Sequence, residues 1–187
     1  MKGCWVFVCG ASGAGKDSVM RWAEVHLAEQ QDIVFARRMV TRPSTSDSDH
    51  DEVSVDEFDS HSARGRLAWK WHAHGFNYGI DAKYACQVAA GQIVVVNGSR
   101  EHVNQLDHNE QIKVVQIEVS PADLELRLIN RARETIEKIS ERLARNDLFT
   151  ALPEHHRILN DGELADAGKA FADYLAAGCC KPSSSAK

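Results

Sequence analysis

Positive charge is what this 187-residue sequence is short of: 22 Lys and Arg stand against 27 Asp and Glu, a net charge of −5. A chain with that balance is not built to coat nucleic acid or an anionic membrane, so any polyanion it binds must meet a local cluster of cations. Long hydrophobic runs are missing as well. The longest early one, residues 4–9, is too short for a signal peptide's apolar stretch or a membrane span. Five cysteines occur without a Cys-x-x-Cys spacing, and nine histidines without a zinc-like ligand spacing. The expectation is reduced thiols in a cytoplasmic protein, with no disulfide framework and no zinc site. Internal repeats and linkers long enough to divide domains are absent too. What is present is 43% hydrophobic residues, enough for one well-buried core.

Strand and helix signals alternate along the chain. Residues 4–9 form a continuous apolar run suited to a buried strand, and 16–29, free of Gly and Pro, place Val19, Trp22, Ala23 and Leu27 on one helical face. A strand is expected over 33–40, then a Ser/Asp-rich loop over 43–52. Ser54 and Glu57 form a capping-box pair that opens a helix reaching Arg64, stopped by Gly65. Residues 67–74 alternate as a half-exposed strand, 75–79 read as a turn, 81–90 as a helix and 93–96 as a buried strand. A strand over 112–119 is followed by Ser120-Pro121, a strong helix start. A last strand over 157–159 and a closing helix marked by Leu164, Ala167, Phe171 and Leu175 complete the pattern, and the tail 179–187 is expected to be disordered. Buried strands separated by helices imply a mostly parallel sheet covered on both faces.

The residues Gly10, Ala11, Ser12, Gly13, Ala14, Gly15 and Lys16 fit G-x-x-x-x-G-K, in which backbone N–H groups wrap nucleotide phosphates and the lysine reaches the β and γ groups. Its context is the one the chemistry needs, an apolar strand ending at Gly10 and a helix starting at Gly15, whose N-terminus adds partial positive charge. One position departs from the pattern. Asp17 stands where a Ser or Thr normally ligates Mg²⁺, and Ser18, about 100° further round the helix, cannot simply replace it. Asp17 is therefore expected to serve the metal, since a carboxylate is a good hard ligand.

Between residues 127 and 145 the chain carries Arg127, Arg131, Arg133, Lys138, Arg142 and Arg145. Arg127 and Arg131 share a helical face, and such a face could close over a triphosphate as an arginine lid. A solvated helix of Glu–Arg pairs is the alternative meaning of the run.

With these residues in view, the chain is similar to guanylate kinases over nearly its full length. The shared features are Gly10–Lys16, Thr41-Arg42-Pro43, Val53-Ser54 with Glu57-Phe58, His74-Gly75 with Tyr78-Gly79, the Arg127/Arg131/Arg142 spacing and Asn160-Asp161. The resemblance implies a guanylate-kinase-like three-layer α/β sandwich of P-loop NTPase type over residues 1–178, with a parallel core sheet, a small acceptor lobe over 36–80 and the lid over 127–145. It implies that Arg127, Arg131 and Arg142, with Arg133 a further candidate, bracket the transferring phosphoryl group. It also implies that Asn160 lies by the adenine and that Arg42 and Tyr78 hold the acceptor's phosphate. The departures carry more information. Arg38 stands where those kinases read guanine with a serine, Asn97-Gly98-Ser99 followed by Arg100 replaces an acidic D-x-D motif, and His50 replaces a tyrosine. A base-reading pocket has lost carboxylates and gained cations.

That combination resembles the ribose 1,5-bisphosphate phosphokinases, the guanylate-kinase relatives of phosphonate breakdown. The resemblance implies transfer of the ATP γ-phosphoryl group to the 1-phosphate of ribose 1,5-bisphosphate, giving 5-phospho-α-D-ribose 1-diphosphate (PRPP). ATP and Mg²⁺ are the implied cofactors. Arg38, Arg42, His50, Tyr78, Asn97 and Arg100 would receive the sugar phosphate, with no nucleic acid or membrane partner and a homodimer left open. A phosphate acceptor, whose second pKa is about 6, is already ionised at pH 7 and needs no general base, and the sequence offers none. A nucleoside monophosphate kinase of altered acceptor and a non-catalytic guanylate-kinase-like interaction module are the rival readings.

Overall fold

A computed structural model describes residues 2–45, 48–107, 109–130 and 154–178. The first apolar run is strand β1, Cys4–Gly10. Cys4, Val6 and Val8 side with one apolar cluster, Trp5, Phe7 and Cys9 with another, which is how a central strand buried on both faces must alternate. β1 is the middle of a five-stranded, all-parallel sheet. Its order is β2 (Ile33–Phe35), β7 (Ile93–Asn97), β1, β8 (Ile112–Glu118), β9 (His156–Leu159).

Helices α1 (Lys16–His26) and α6 (Leu164–Ala176) cover one face, sending Val19, Ala23, Phe171 and Leu175 into the first cluster. The two helices lie so close that a Cβ on Gly168 would stand 2.4 Å from the Trp22 ring. Helices α3 (Lys83–Ala89) and α4 (Arg100–Asn104) cover the other face with Tyr84, Val88 and Val103. Each large side chain fully buried here, such as Phe7 or Leu175, contributes roughly 1.5–3 kcal/mol by leaving water.

A second sheet has the order β4 (His50–Glu52), β3 (Arg38–Val40), β6 (Phe76–Asp81), β5 (Leu67–Ala73). Helix α2 (Val55–Ala63) packs on β5 and β6 through Phe58. Both bonds of its capping box form: the Glu57 N–H donates to Ser54 Oγ at 3.2 Å, and the Ser54 N–H donates to Glu57 Oε2 at 2.9 Å. Helix α5 (Pro121–Asn130) starts where expected, with Ser120 Oγ accepting from the Asp123 N–H at 3.2 Å.

Four expectations need correction. The single strand over 33–40 is two strands in different sheets. Ala36 N–H still donates to Val95 O in the core sheet at 2.8 Å, but Arg37 N–H donates to the Tyr84 hydroxyl at 3.1 Å, so the chain leaves one sheet there for the other. The loop over 43–52 ends in β4, paired parallel to β3. The turn over 75–79 contracts to His74 and Gly75, both at positive φ (54° and 80°), between the paired residues Ala73 and Phe76. That is the backbone a two-residue hairpin requires. Finally, Cys9 and Cys86 are free but Cys4 is disulfide-bonded, against the expectation that all five are reduced. Sequence spacing does not reveal which sulfurs meet in space. The tail 179–187 lies outside the described residues.

Candidate active site

In a parallel sheet, ligands bind beyond the carboxyl ends of the strands. The carboxyl end of β1 runs into Gly10–Lys16, that of β7 into Asn97–Arg100, and that of β9 into Asn160. Gly10, Gly13 and Gly15 all sit at positive φ (153°, 99° and 84°). A Cβ on Gly15 would stand 2.5 Å from Asn160 Nδ2, and one on Gly10 would stand 2.3 Å from the Ile117 carbonyl oxygen, so the loop's path needs both glycines.

The loop separates two clefts. The larger, about 630 Å³, is lined on the loop side by Gly10, Ser12, Lys16 and Asp17. Opposite them are Arg38 and Arg42 from the β3 region, Tyr78 from β6, and Asn97 and Arg100. The smaller, about 370 Å³, is lined by Gly13, Gly15, Ser18, Arg127, Asn160, Gly162 and Leu164. Asp17 and Ser18 thus face different clefts, as the helical rotation between them demands.

Burial draws the Lys16 ammonium below its usual value of 10.5, with Asp17 opposing the shift. Its Nζ lies 3.5 Å from the Ala11 carbonyl oxygen. The Cys9 thiol beneath it is pushed up to about 12 by burial, which keeps it neutral and inert. Asp17 Oδ1 accepts from Asn97 Nδ2 at 2.6 Å. The other carboxylate oxygen has no partner among the described residues. A glycine-lined anion cradle beside a half-buried lysine fits a nucleoside triphosphate, and a carboxylate oxygen on the cradle's edge fits Mg²⁺.

On the wall opposite the loop, Arg38 Nη2 donates to both oxygens of Asp49, at 2.7 and 2.6 Å, and Nη1 donates to the Asn97 carbonyl at 3.3 Å. Asn97 Nδ2 also donates to Asp49 Oδ2 at 2.7 Å. One amide therefore joins the carboxylate of the phosphate loop to that of the opposite wall. Burial opposes ionisation of Asp49, but Arg38 and the hydrogen bonds outweigh it and hold the carboxyl below its ordinary 3.8. Trp71 forms part of the cleft wall, stacked on Tyr78 with ring centroids 5.3 Å apart. Trp71 also stacks with His102, ring centroids 4.6 Å apart.

The structure brings Arg38, Arg42, Tyr78, Asn97 and Arg100 together with Lys16 and Asp17 in one cleft. His50 is not in that wall. It is 2% exposed, with Nε2 at 3.3 Å from the Arg42 carbonyl and Nδ1 at 3.5 Å from Asp49 Oδ1, so it stands behind the wall. Arg127 belongs to the smaller cleft, donating from Nη2 to the Asn160 carbonyl at 2.5 Å, while Asn160 Nδ2 donates to the Ala14 carbonyl at 2.8 Å. Arg131, Arg133 and Arg142 lie outside the described residues. Asp49 was missed. It is one of three alternating aspartates, Asp47, Asp49 and Asp51, and nothing in their spacing says which faces the cleft.

A parallel sheet with a phosphate-binding loop after its central strand, facing a small mixed sheet across a cation-lined cleft, defines a P-loop α/β fold of the guanylate kinase kind. A solved guanylate kinase from Anaplasma phagocytophilum superposes with a TM-score of 0.66 at 16% identity, covering 94% of this chain and 87% of that one. No family model matches the chain. Among curated proteins, "Ribose 1,5-bisphosphate phosphokinase PhnN" of Burkholderia mallei is 40% identical over 174 residues, 91% of this chain and 94% of the relative. The protein of that name from Acidiphilium cryptum is 46% identical over 140 residues, 75% of each. The chain belongs to the ribose 1,5-bisphosphate phosphokinase PhnN family.

Proposed function

We propose that this chain transfers the γ-phosphoryl group of ATP to the 1-phosphate of ribose 1,5-bisphosphate, yielding PRPP and ADP, as a phosphotransferase of phosphonate catabolism. The observation that carries it is the single cleft of about 630 Å³ in which Lys16 and Asp17 face Arg38, Arg42 and Arg100. That wall carries three arginines, with the carboxylates of Asp49 and Glu101 among them.

In this account the loop Gly10–Lys16 and Ser18 cradle the triphosphate, and the smaller cleft beside Asn160 and Arg127 takes the adenosine end. Lys16 draws charge from the migrating group. Arg42, Arg100 and Tyr78 hold the acceptor's 1-phosphate, which is anionic at neutral pH and attacks without a base. A bond forms between an oxygen of that phosphate and the γ phosphorus. The bond from the γ phosphorus to the β–γ bridging oxygen breaks, and ADP leaves. Asp17 would hold Mg²⁺, which when bound supplies positive charge against the phosphate oxygens. Arg131 and Arg142 keep the lid role that the family resemblance implies. Lid closure excludes water, which would otherwise compete as acceptor. A cytoplasmic setting, where ATP is at hand, goes with this activity.

Initial rates of ADP formation with ribose 1,5-bisphosphate and with GMP, each titrated at saturating ATP and Mg²⁺, test the proposal. The expected result is a higher kcat/KM for the sugar bisphosphate. Preference for GMP would make the chain a nucleotide kinase instead, and no ADP with either would return it to a non-catalytic module.

A further inference from the structure

We propose that Asp49 reads a sugar hydroxyl of the acceptor: its carboxylate, fixed by Arg38 and Asn97, accepts a hydrogen bond from the 2-hydroxyl of a phosphorylated pentose. This rests on the acceptor assignment above and goes beyond it, because it decides which part of the molecule meets which wall of the cleft.

Asp49 lines the large cleft and keeps 33% of its side chain exposed there. Two of its neighbours donate to it, Arg38 Nη2 to both oxygens and Asn97 Nδ2 to Oδ2. An ionised carboxylate has about four acceptor positions, and these three bonds leave one, on Oδ1. The pairing also changes what Arg38 offers. Its Nη2 is committed to Asp49, and a phosphate placed there would meet an ionised carboxylate at close range, where like charges repel. A sugar hydroxyl is the one group of a sugar phosphate that such a carboxylate welcomes, being a neutral donor. The Arg42 guanidinium, by contrast, has no partner among the described residues and is the better seat for phosphate. His50 packs behind both residues, its Nδ1 3.5 Å from Asp49 Oδ1 and its Nε2 3.3 Å from the Arg42 carbonyl.

The test is a substrate-by-mutant cycle. kcat/KM is measured for the wild type, Asp49→Ala and Asp49→Asn with ribose 1,5-bisphosphate and with 2-deoxyribose 1,5-bisphosphate, at saturating ATP. The wild type is expected to prefer the ribose compound by about 10–100-fold, the cost of stranding a charged acceptor without its donor. Asp49→Ala should lose about that factor on the ribose compound and less than about threefold on the deoxy compound, so that the preference collapses, with Asp49→Asn in between. Equal wild-type turnover of both acceptors overturns the inference. So does an equal loss on both in Asp49→Ala, which is what a merely structural role produces. If Asp49→Ala does not fold, the wild-type ratio and Asp49→Asn decide. A wild type that turns over neither pentose bisphosphate but phosphorylates GMP sinks the proposed function and this inference with it, a result distinct from a ratio of one.

Discussion

At the residue scale, two side chains on one turn of helix divide the labour. Lys16 is half-buried at the root of the large cleft, and replacing it with Met removes the phosphate loop's cation. Turnover of Lys16→Met is expected to fall by about 100-fold or more with the melting temperature little changed, read by ADP release and a thermal scan. Asp17 sits beside it with one oxygen on Asn97. Asp17→Ala is expected to lower turnover and raise the Mg²⁺ concentration needed for half-maximal rate, and an unchanged Mg²⁺ titration would count against its metal role. The loop and Lys16 were legible in the sequence because a glycine-lysine spacing is local, whereas Arg38, Arg42 and Arg100 stood out only through the family resemblance. Asp49 was not legible. Its meaning lies in pairing with Arg38, eleven positions away, and with Asn97, forty-eight away. Arg127 was legible as a charge but not as an address: only the fold places it against Asn160 rather than in the large cleft.

At the scale of elements, the sequence signals found most strands and helices among the described residues but missed β4, β6 and α4 and merged β2 with β3, where tertiary partners decide. Residues 33–40 read as one strand because Ala36 and Arg37 carry no breaker signal. The switch between sheets is made by the Tyr84 hydroxyl taking the Arg37 N–H. The β5–β6 hairpin was blurred into a five-residue turn because a histidine, not a glycine, occupies one of its two positive-φ positions. Packing of α1 on α6 gives a sharp prediction at this scale. Alanine at Gly168 would gain about 1 kcal/mol of helix propensity, but its Cβ would fall 2.4 Å from the Trp22 ring, and overpacking costs typically about 1–3 kcal/mol. Gly168→Ala is therefore expected to be net destabilising, by up to about 2 kcal/mol, in urea unfolding. A stabilised variant would show that the two helices can part at little cost.

At the scale of the whole molecule, the second sheet is joined to the core through aromatic side chains as well as the polar cluster at the cleft. Trp71 and His102 stack across that junction, with Phe7 and Trp69 edge-on to the same imidazole. Burial pushes His102 down to about 4 from 6.5, so between those values the unfolded chain binds a proton that the folded chain refuses. This contribution to stability is complete above pH 6.5 and is lost as the pH falls towards 4, by about 3 kcal/mol at the acid end. His102→Phe keeps the ring stack without the titration. Urea midpoints compared at pH 7 and pH 5 are expected to drop more for the wild type than for the variant, and equal drops would show that His102 is not the group responsible.

Among the described residues no helix is long and apolar enough to cross a membrane. The whole account turns on which atom receives the phosphoryl group, and phosphorus NMR of the product formed from ATP and ribose 1,5-bisphosphate tests that most directly. Two coupled resonances of a diphosphate on carbon 1, beside an unchanged 5-phosphate singlet, are predicted. A new uncoupled monoester resonance, meaning transfer to a sugar hydroxyl, would contradict it.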